Sequence, residues 1–193
     1  MTALTAALGA AADALDAEAD ELTRLDSLQG DGDLGRTARL IAKALRQAAE
    51  EDAGDPAVLL RSVGAKIAST APSSSGTLIA SAFLAAAKAV GTPEADELLA
   101  GLEAGLGGIQ HRGKAQPGDR TMIDALAPAV DSLRANPRDR EAAALAAEAG
   151  VEATRTMEAK IGRARFLAGN AVGEPDPGAA MVGTALAAAL RAL

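Results

Sequence analysis

Cysteine is absent from the 193 residues, so disulfides, thiolate metal sites and cysteine nucleophiles are excluded, and a cytoplasmic protein is expected. Tryptophan and tyrosine are absent too, and phenylalanine occurs only twice, although hydrophobic residues make up 49% of the chain. Such a core is built from alanine, leucine, valine and isoleucine, which favours closely spaced helices over sheets. The single histidine, His111, has no second imidazole with which to share a metal and no evident serine triad. It reads as a solvent-facing loop residue, and imidazole general-base catalysis is not expected from this chain. Basic residues number 19 against 26 acids, a formal charge of -7, so there is no cationic excess to replace phosphate counterions and no nucleic-acid partner is expected. No apolar run reaches the roughly 20 residues of a membrane span. The N-terminus lacks a basic leader and carries acids from Asp13 onward, so neither membrane insertion nor a secretion signal is expected.

What is abundant is alanine in segments with apolar residues three and four apart, separated by glycine- or proline-marked breaks. These predict an all-α fold of about eight helices in a single domain spanning 1–193, running roughly 3–24, 35–51, 56–70, 76–90, 94–111, 119–134, 138–159 and 177–192. Asp55-Pro56 and Thr92-Pro93 place proline in a helix's first turn, and Asp119 sits where an N-cap belongs. Breaks at 52–55, 91–93 and 135–137 are plain turns. Those at 25–35, 71–76, 112–119 and 160–178 are long or glycine-rich, and they follow the first, third, fifth and seventh segments. In an up-and-down antiparallel bundle alternate connections share one end. The four unusual loops are therefore expected to meet on one rim, which is where a site belongs.

Gly30-Asp31-Gly32-Asp33-Leu34-Gly35 matches G-x-G-x-x-G, but no apolar strand precedes it and its aspartates would face a pyrophosphate, so a dinucleotide turn is rejected. With Asp26 the loop holds three carboxylates within eight residues. Hard oxygen ligands suit magnesium or calcium, and an open cluster beside an anion-binding rim suits magnesium better, since that ion keeps waters and is completed by phosphates. The alternative is a solvated acidic turn in which glycine supplies unusual dihedrals.

Gly108 to Lys114 imitates a phosphate-binding loop, but Ala115 stands where a Ser or Thr is required and no strand precedes it. Ser73-Ser74-Ser75-Gly76 opens an apolar helix and offers an anion hydroxyls, amides and the positive end of a dipole, or serves simply as an N-cap. Gly118-Asp119-Arg120-Thr121 reads as a cap, Gly162-Arg163-Ala164-Arg165 as a basic turn, and Asp176-Pro177-Gly178 as a turn and helix start.

Taken in order, these loops resemble the nucleotide-binding (L-type) domain of the dihydroxyacetone kinase family over nearly the whole chain. The resemblance rests on Leu25-Asp26, Gly30-Asp31-Gly32-Asp33-x-Gly35, Ser74-Ser75-Gly76, Arg112-Gly113-Lys114-Ala115-x-Pro117-Gly118-Asp119-x-Thr121-Met122, Gly162-Arg163-Ala164 and Asp176-Pro177-Gly178-Ala179. It implies a barrel of eight antiparallel helices that binds ADP or ATP at one end through two magnesium ions held by Asp26, Asp31 and Asp33. It also implies nucleotide contacts from Leu34, Gly35, Arg36 and Thr37, from Ser74, Ser75 and Gly76, and from Gly113, Lys114, Thr121 and Met122. Arg163 and the Asp176, Pro177, Gly178 turn complete the set, with Arg163 joining the three aspartates in catalysis.

Two positions depart from the family pattern: Leu34 stands where histidine is common, and Thr37 where asparagine is frequent. Both changes remove phosphate donors and leave the three aspartates intact. The resemblance implies a phosphotransferase that acts with a separate ketose-binding partner subunit, the ketose there being attached through a histidine. The phosphoryl source is either exchangeable ATP or a bound ADP recharged by a phosphotransferase-system protein. The alternative is a nucleotide-responsive regulator on the same fold without kinase activity. Alanine-rich faces pack equally well within one chain or between copies, so a homo-oligomer stays open.

Overall fold

A computed structural model of the chain describes residues 2–51, 54–91, 97–162, 164–166, 171 and 173–193. Among these residues it holds eight α-helices and no strand: α1 (Ala3–Ser27), α2 (Leu34–Glu50), α3 (Pro56–Thr70), α4 (Ser74–Ala89), α5 (Glu97–Gly113), α6 (Ile123–Ala135), α7 (Arg140–Ala153) and α8 (Pro177–Ala192). Single 3-10 turns lie at Thr154–Thr156 and Ala164–Phe166. The spans expected at 56–70 and 177–192 coincide with α3 and α8, both opened by Asp-Pro. The proline presets the first helical residue, while Asp55 accepts from the amides of Ala57 and Val58 and Asp176 from that of Ala179. The helix start expected at Thr92-Pro93 lies outside the described residues.

Two edges differ from expectation by four residues or more. Asp119 does not cap α6, which begins four residues later at Ile123. The seventh helix stops at Ala153 because its last turn tightens into the 3-10 turn, where the buried Thr154 donates its hydroxyl to the Val151 carbonyl.

Each helix packs on the next, and α8 returns to α1, closing the ring into a barrel. Leu15, Leu22, Ile41, Leu45, Val63, Ile67 and Met181 meet in one inner cluster, and Ile109, Ile123, Leu126 and Val130 in a second. Between helices the contacts are small: Ala12, Ala19, Ala38, Ala42 and Ala143 are fully enclosed. A methyl side chain loses no rotamer freedom on burial, so these positions bring backbones together at low entropic cost.

Pro128, inside α6, cannot donate to the Asp124 carbonyl four residues back. Gly150 of α7 covers that carbonyl so closely that a Cβ on it would lie 2.1 Å from the oxygen. Toward the end where α1 and α3 begin, the side chains do not fill the axis. An apolar cavity of about 410 Å³ remains there, lined by Leu8, Leu45, Leu60, Phe83 and Leu186 among others.

Candidate functional site

The four unusual loops do meet. The Thr37 hydroxyl, in the first turn of α2, donates to Ser73 Oγ before α4 at 3.3 Å. Gln29 Nε2 donates to the Pro175 carbonyl before α8 at 3.5 Å, and the Lys160 amide to the Asp119 carbonyl at 3.2 Å. Odd helices end and even helices begin at this rim, so the macrodipoles alternate around it and largely cancel. What remains for an anion is local: the unpaired amides of each helix start.

Asp26 ends α1, Asp31 lies in the connecting loop, and Asp33 occupies the N-cap position of α2 without capping it. One carboxylate oxygen from each of the three lies within 4.8 Å of the other two. Asp26 is half-buried, Asp31 and Asp33 exposed. Burial pushes the Asp26 carboxyl above its ordinary range and its two acidic neighbours push the same way, while the amides of Leu34 and Asp33 pull it down. Three converging oxygens, one of them on a half-buried carboxyl, are of the kind that could hold a hard cation.

The three glycines of this loop serve different ends. Only Gly32 has a positive φ, +74°. A Cβ on Gly30 would stand 2.3 Å from an Asp26 carboxylate oxygen. One on Gly35 would stand 2.0 Å from the Ala19 carbonyl and 2.1 Å from the Thr23 hydroxyl, so this glycine lets α2 lie against α1.

Leu34, the residue that departs from the family pattern, turns its side chain into the core beside Ala38 and Ile41 and gives its amide to Asp26 Oδ2 at 3.1 Å. The Thr37 amide already bonds the Asp33 carbonyl, which leaves Gly35 and Arg36 as the outward amides of this helix start. Ser73 rather than Ser75 ends the turn before α4, and its hydroxyl accepts from the Gly76 amide at 3.0 Å. Ser74 and Ser75 thereby become the first two helical residues, whose amides point out of the helix end. Gly113 closes α5, and Lys114 follows exposed at φ +59°. Met122 is buried beside Gly178, whose Cβ would lie 3.7 Å from the Met122 amide nitrogen. Arg163, expected in both catalysis and nucleotide contact, lies outside the described residues. His111 is exposed, as expected, but it lies in the last turn of α5 rather than in a loop. Phe166 is 74% exposed with the Arg165 guanidinium 4.4 Å from its ring centroid, whereas Phe83 lines the interior cavity.

Sequence reasoning missed a buried polar layer beneath the rim, in which Arg120 and Asp124 join Asp176, a residue expected at the site but not in the interior. Asp124, within the first turn of α6, reaches back to accept from the amides of Gly118 and Thr121, so the cap acts from inside the helix. Asp119 accepts from the Gln116 amide and pairs with Lys160 at 3.6 Å. The Asp176 carboxylate faces inward, and burial raises its pKa to about 7. A positively charged residue and two acids in turn-forming sequence look solvated, and no periodicity marks them as buried.

The DAK2 domain family matches residues 29–191. Over 184 residues the chain is 35% identical to the PEP-dependent dihydroxyacetone kinase, ADP-binding subunit DhaL, of Escherichia coli K12, covering 88% of this chain and 86% of that one. It is 40% identical over 172 residues to the L-erythrulose 1-kinase of Mycolicibacterium smegmatis, covering 82% of this chain and 30% of that enzyme. The crystal structure of the dihydroxyacetone kinase from Citrobacter freundii in complex with AMP-PNP and Mg2+ superposes with a TM-score of 0.83 at 30% identity, covering 98% of this chain and 34% of that one. The chain thus spans most of the bacterial subunit and about a third of the longer kinases.

Proposed function

We propose, from the premise that this chain belongs to the DAK2 domain family, that it is the nucleotide-binding phosphotransferase subunit of a short-ketose kinase, acting with a partner that holds the ketose. The observation that carries the reading is the meeting of Asp26, Asp31 and Asp33 at a rim ringed by helix starts, in a chain that aligns along most of its length with an ADP-binding subunit. Oxygens within 4.8 Å of one another span slightly more than the roughly 4.2 Å that separates opposite ligands of one magnesium, whose bonds to oxygen are about 2.0–2.1 Å, so a small side-chain adjustment or a pair of ions sharing a carboxylate would suit them.

Two magnesium ions, when bound, neutralise the phosphate charge that this acidic chain cannot neutralise by itself. The protein's own part is positioning. The Gly35 and Arg36 amides and those of Ser74 and Ser75 face the phosphates from two helix starts. Gly113, Lys114, Thr121, Met122 and the Asp176–Gly178 turn enclose the rest of the nucleotide, and Arg163 adds positive charge at the transferring group. Ketose binding falls to the partner, as the likeness to an ADP-binding subunit implies.

Thermal unfolding with ADP, with magnesium and with both tests the reading after co-purifying nucleotide is stripped. At about 100 times the dissociation constant, binding adds roughly 2.7 kcal/mol. For a domain of this size that raises the midpoint by about 5–10 °C. The shift is expected to need both ligands and to vanish in Asp31→Asn; no shift in folded, stripped protein rejects the proposal. The buried Leu34 side chain favours one second reading, a nucleotide-responsive regulator. It is distinguished by nucleotide binding without turnover when the ketose-binding partner is supplied with either ATP or a phosphohistidine donor protein.

A further inference from the structure

The stretch that leads into the Asp176–Gly178 turn pairs with no helix or strand among the described residues. Several of its backbone carbonyls accept from side chains, and Ala171 O also accepts from the Glu174 amide. Arg120 Nη2 donates to both Ala171 O, at 3.1 Å, and Glu174 O, at 2.9 Å. Arg155 donates to Gly173 O at 3.0 Å, and the Asp176 amide donates to Thr154 Oγ1 at 2.8 Å.

Arg120 stands apart among these donors. It is 4% exposed, whereas Arg155 is at the surface edge, and its backbone sits at φ +59°, a region that favours glycine. Nearby Gly118 shows that the same loop uses glycine where a positive φ alone is needed. A long side chain kept in that conformation supplies something a glycine lacks. No described acceptor reaches its Nε, so the guanidinium is oriented by the two carbonyls it bridges.

The geometry points to Arg120 as a positioning residue for the nucleotide: by bridging Ala171 O and Glu174 O it fixes the Asp176–Gly178 turn against Met122. Met122 lies two residues after Arg120, and Asp176 two residues after Glu174, so one side chain spans both walls at their bases. Beyond it the two walls meet by packing, Gly178 against Met122 and Gly183 against Ala125. The inference rests on the proposed function, which makes those two walls nucleotide contacts.

The test uses the full chain, stripped of nucleotide, as wild type, Arg120→Gln and Arg120→Lys. Calorimetry measures ADP binding with magnesium present, and amide hydrogen exchange is followed by mass spectrometry. Arg120→Gln is expected to weaken ADP binding about 10- to 100-fold, the scale of one of the two charge-assisted hydrogen bonds it removes. Exchange should accelerate at 171–178 while peptides from α2 and α4 keep wild-type rates, and the magnesium concentration giving half the effect should not move. Arg120→Lys, which keeps the charge and one donor, should recover part of the affinity, and its own smaller loss carries the test if Arg120→Gln folds poorly. ADP affinity and exchange equal to wild type in the folded variants overturn this inference alone. A wild-type chain that binds no ADP with magnesium overturns the proposed function and this inference with it.

Discussion

Replacing Asp176 by asparagine should make the protein more stable at neutral pH and leave it unchanged in acid. Asp176 caps α8 from a fully enclosed position, and burial lifts its pKa to about 7 against the opposing pull of the Ala179 amide and the Arg120 charge. In the unfolded chain an aspartate titrates near its ordinary value of about 3.9. Between those values the folded protein holds a proton that the unfolded chain has released. The sign follows: this group's contribution falls as pH rises from about 4 to about 7, and the deficit is constant above that. Three units at about 1.4 kcal/mol each put the deficit on the order of 4 kcal/mol.

Asparagine keeps the shape and leaves an oxygen for the Ala179 amide without titrating. The variant's unfolding free energy minus the parent's should therefore be near zero at pH 4 and climb toward that figure by pH 7.5. Urea unfolding at pH 4.5, 6 and 7.5, followed by circular dichroism because the chain lacks tryptophan and tyrosine, measures it. Taking the difference cancels the carboxylates that arginine hydrogen bonds hold low, such as Glu21, Glu141 and Glu152, whose contributions run the other way. A difference that does not grow with pH refutes the reasoning.

Four further outcomes concern glycines. Gly30→Ala puts a methyl where an Asp26 oxygen now sits, so it should abolish most of the magnesium-dependent shift in melting temperature while barely moving the metal-free midpoint. Gly35→Ala drives a methyl into the Ala19 carbonyl, backbone that cannot yield cheaply; overpacking of this kind costs about 1–3 kcal/mol. The corresponding fall of about 3–10 °C in the midpoint can be read by calorimetry, and an unchanged midpoint would contradict the close approach of α1 and α2. In the exposed interior of α5, Gly107 has open space at its Cβ, so Gly107→Ala should stabilise by about 1 kcal/mol. Gly150→Ala, which meets the Asp124 carbonyl, should destabilise, and the two variants moving in the same direction would undo this reading.

Much of the architecture was legible because helix period and breaks are local properties of the chain. Asp55-Pro56 and Asp176-Pro177 mark two helix starts to the residue, and the alternation of plain with glycine-rich breaks marks the end of the barrel where the four unusual loops meet. Asp26, Asp31 and Asp33 are close in sequence, so their meeting needed only a loop of eight residues to close. What stayed hidden depends on contacts far apart in the chain. Arg120 meets residues more than 50 positions away, and nothing within its own turn distinguishes it from a solvated arginine. Asp119 looked like the cap of α6 because Asp is a favoured cap, yet Asp124 does that work from inside the helix. Leu34 read as the loss of a donor, whereas its burial with Ala38 and Ile41 makes it part of the packing of α2.

The closure of α8 onto α1 means that the ring has no first helix in space. Ala3 and Leu193 line the same cavity at the end away from the carboxylates, and the connection at 136–139 lies at that end as well, carrying no site residue. The order of helices along the chain is then one of several that build the same barrel. A circular permutant opened between Asn136 and Asp139, with a short linker joining the present ends, should fold around an undisturbed rim.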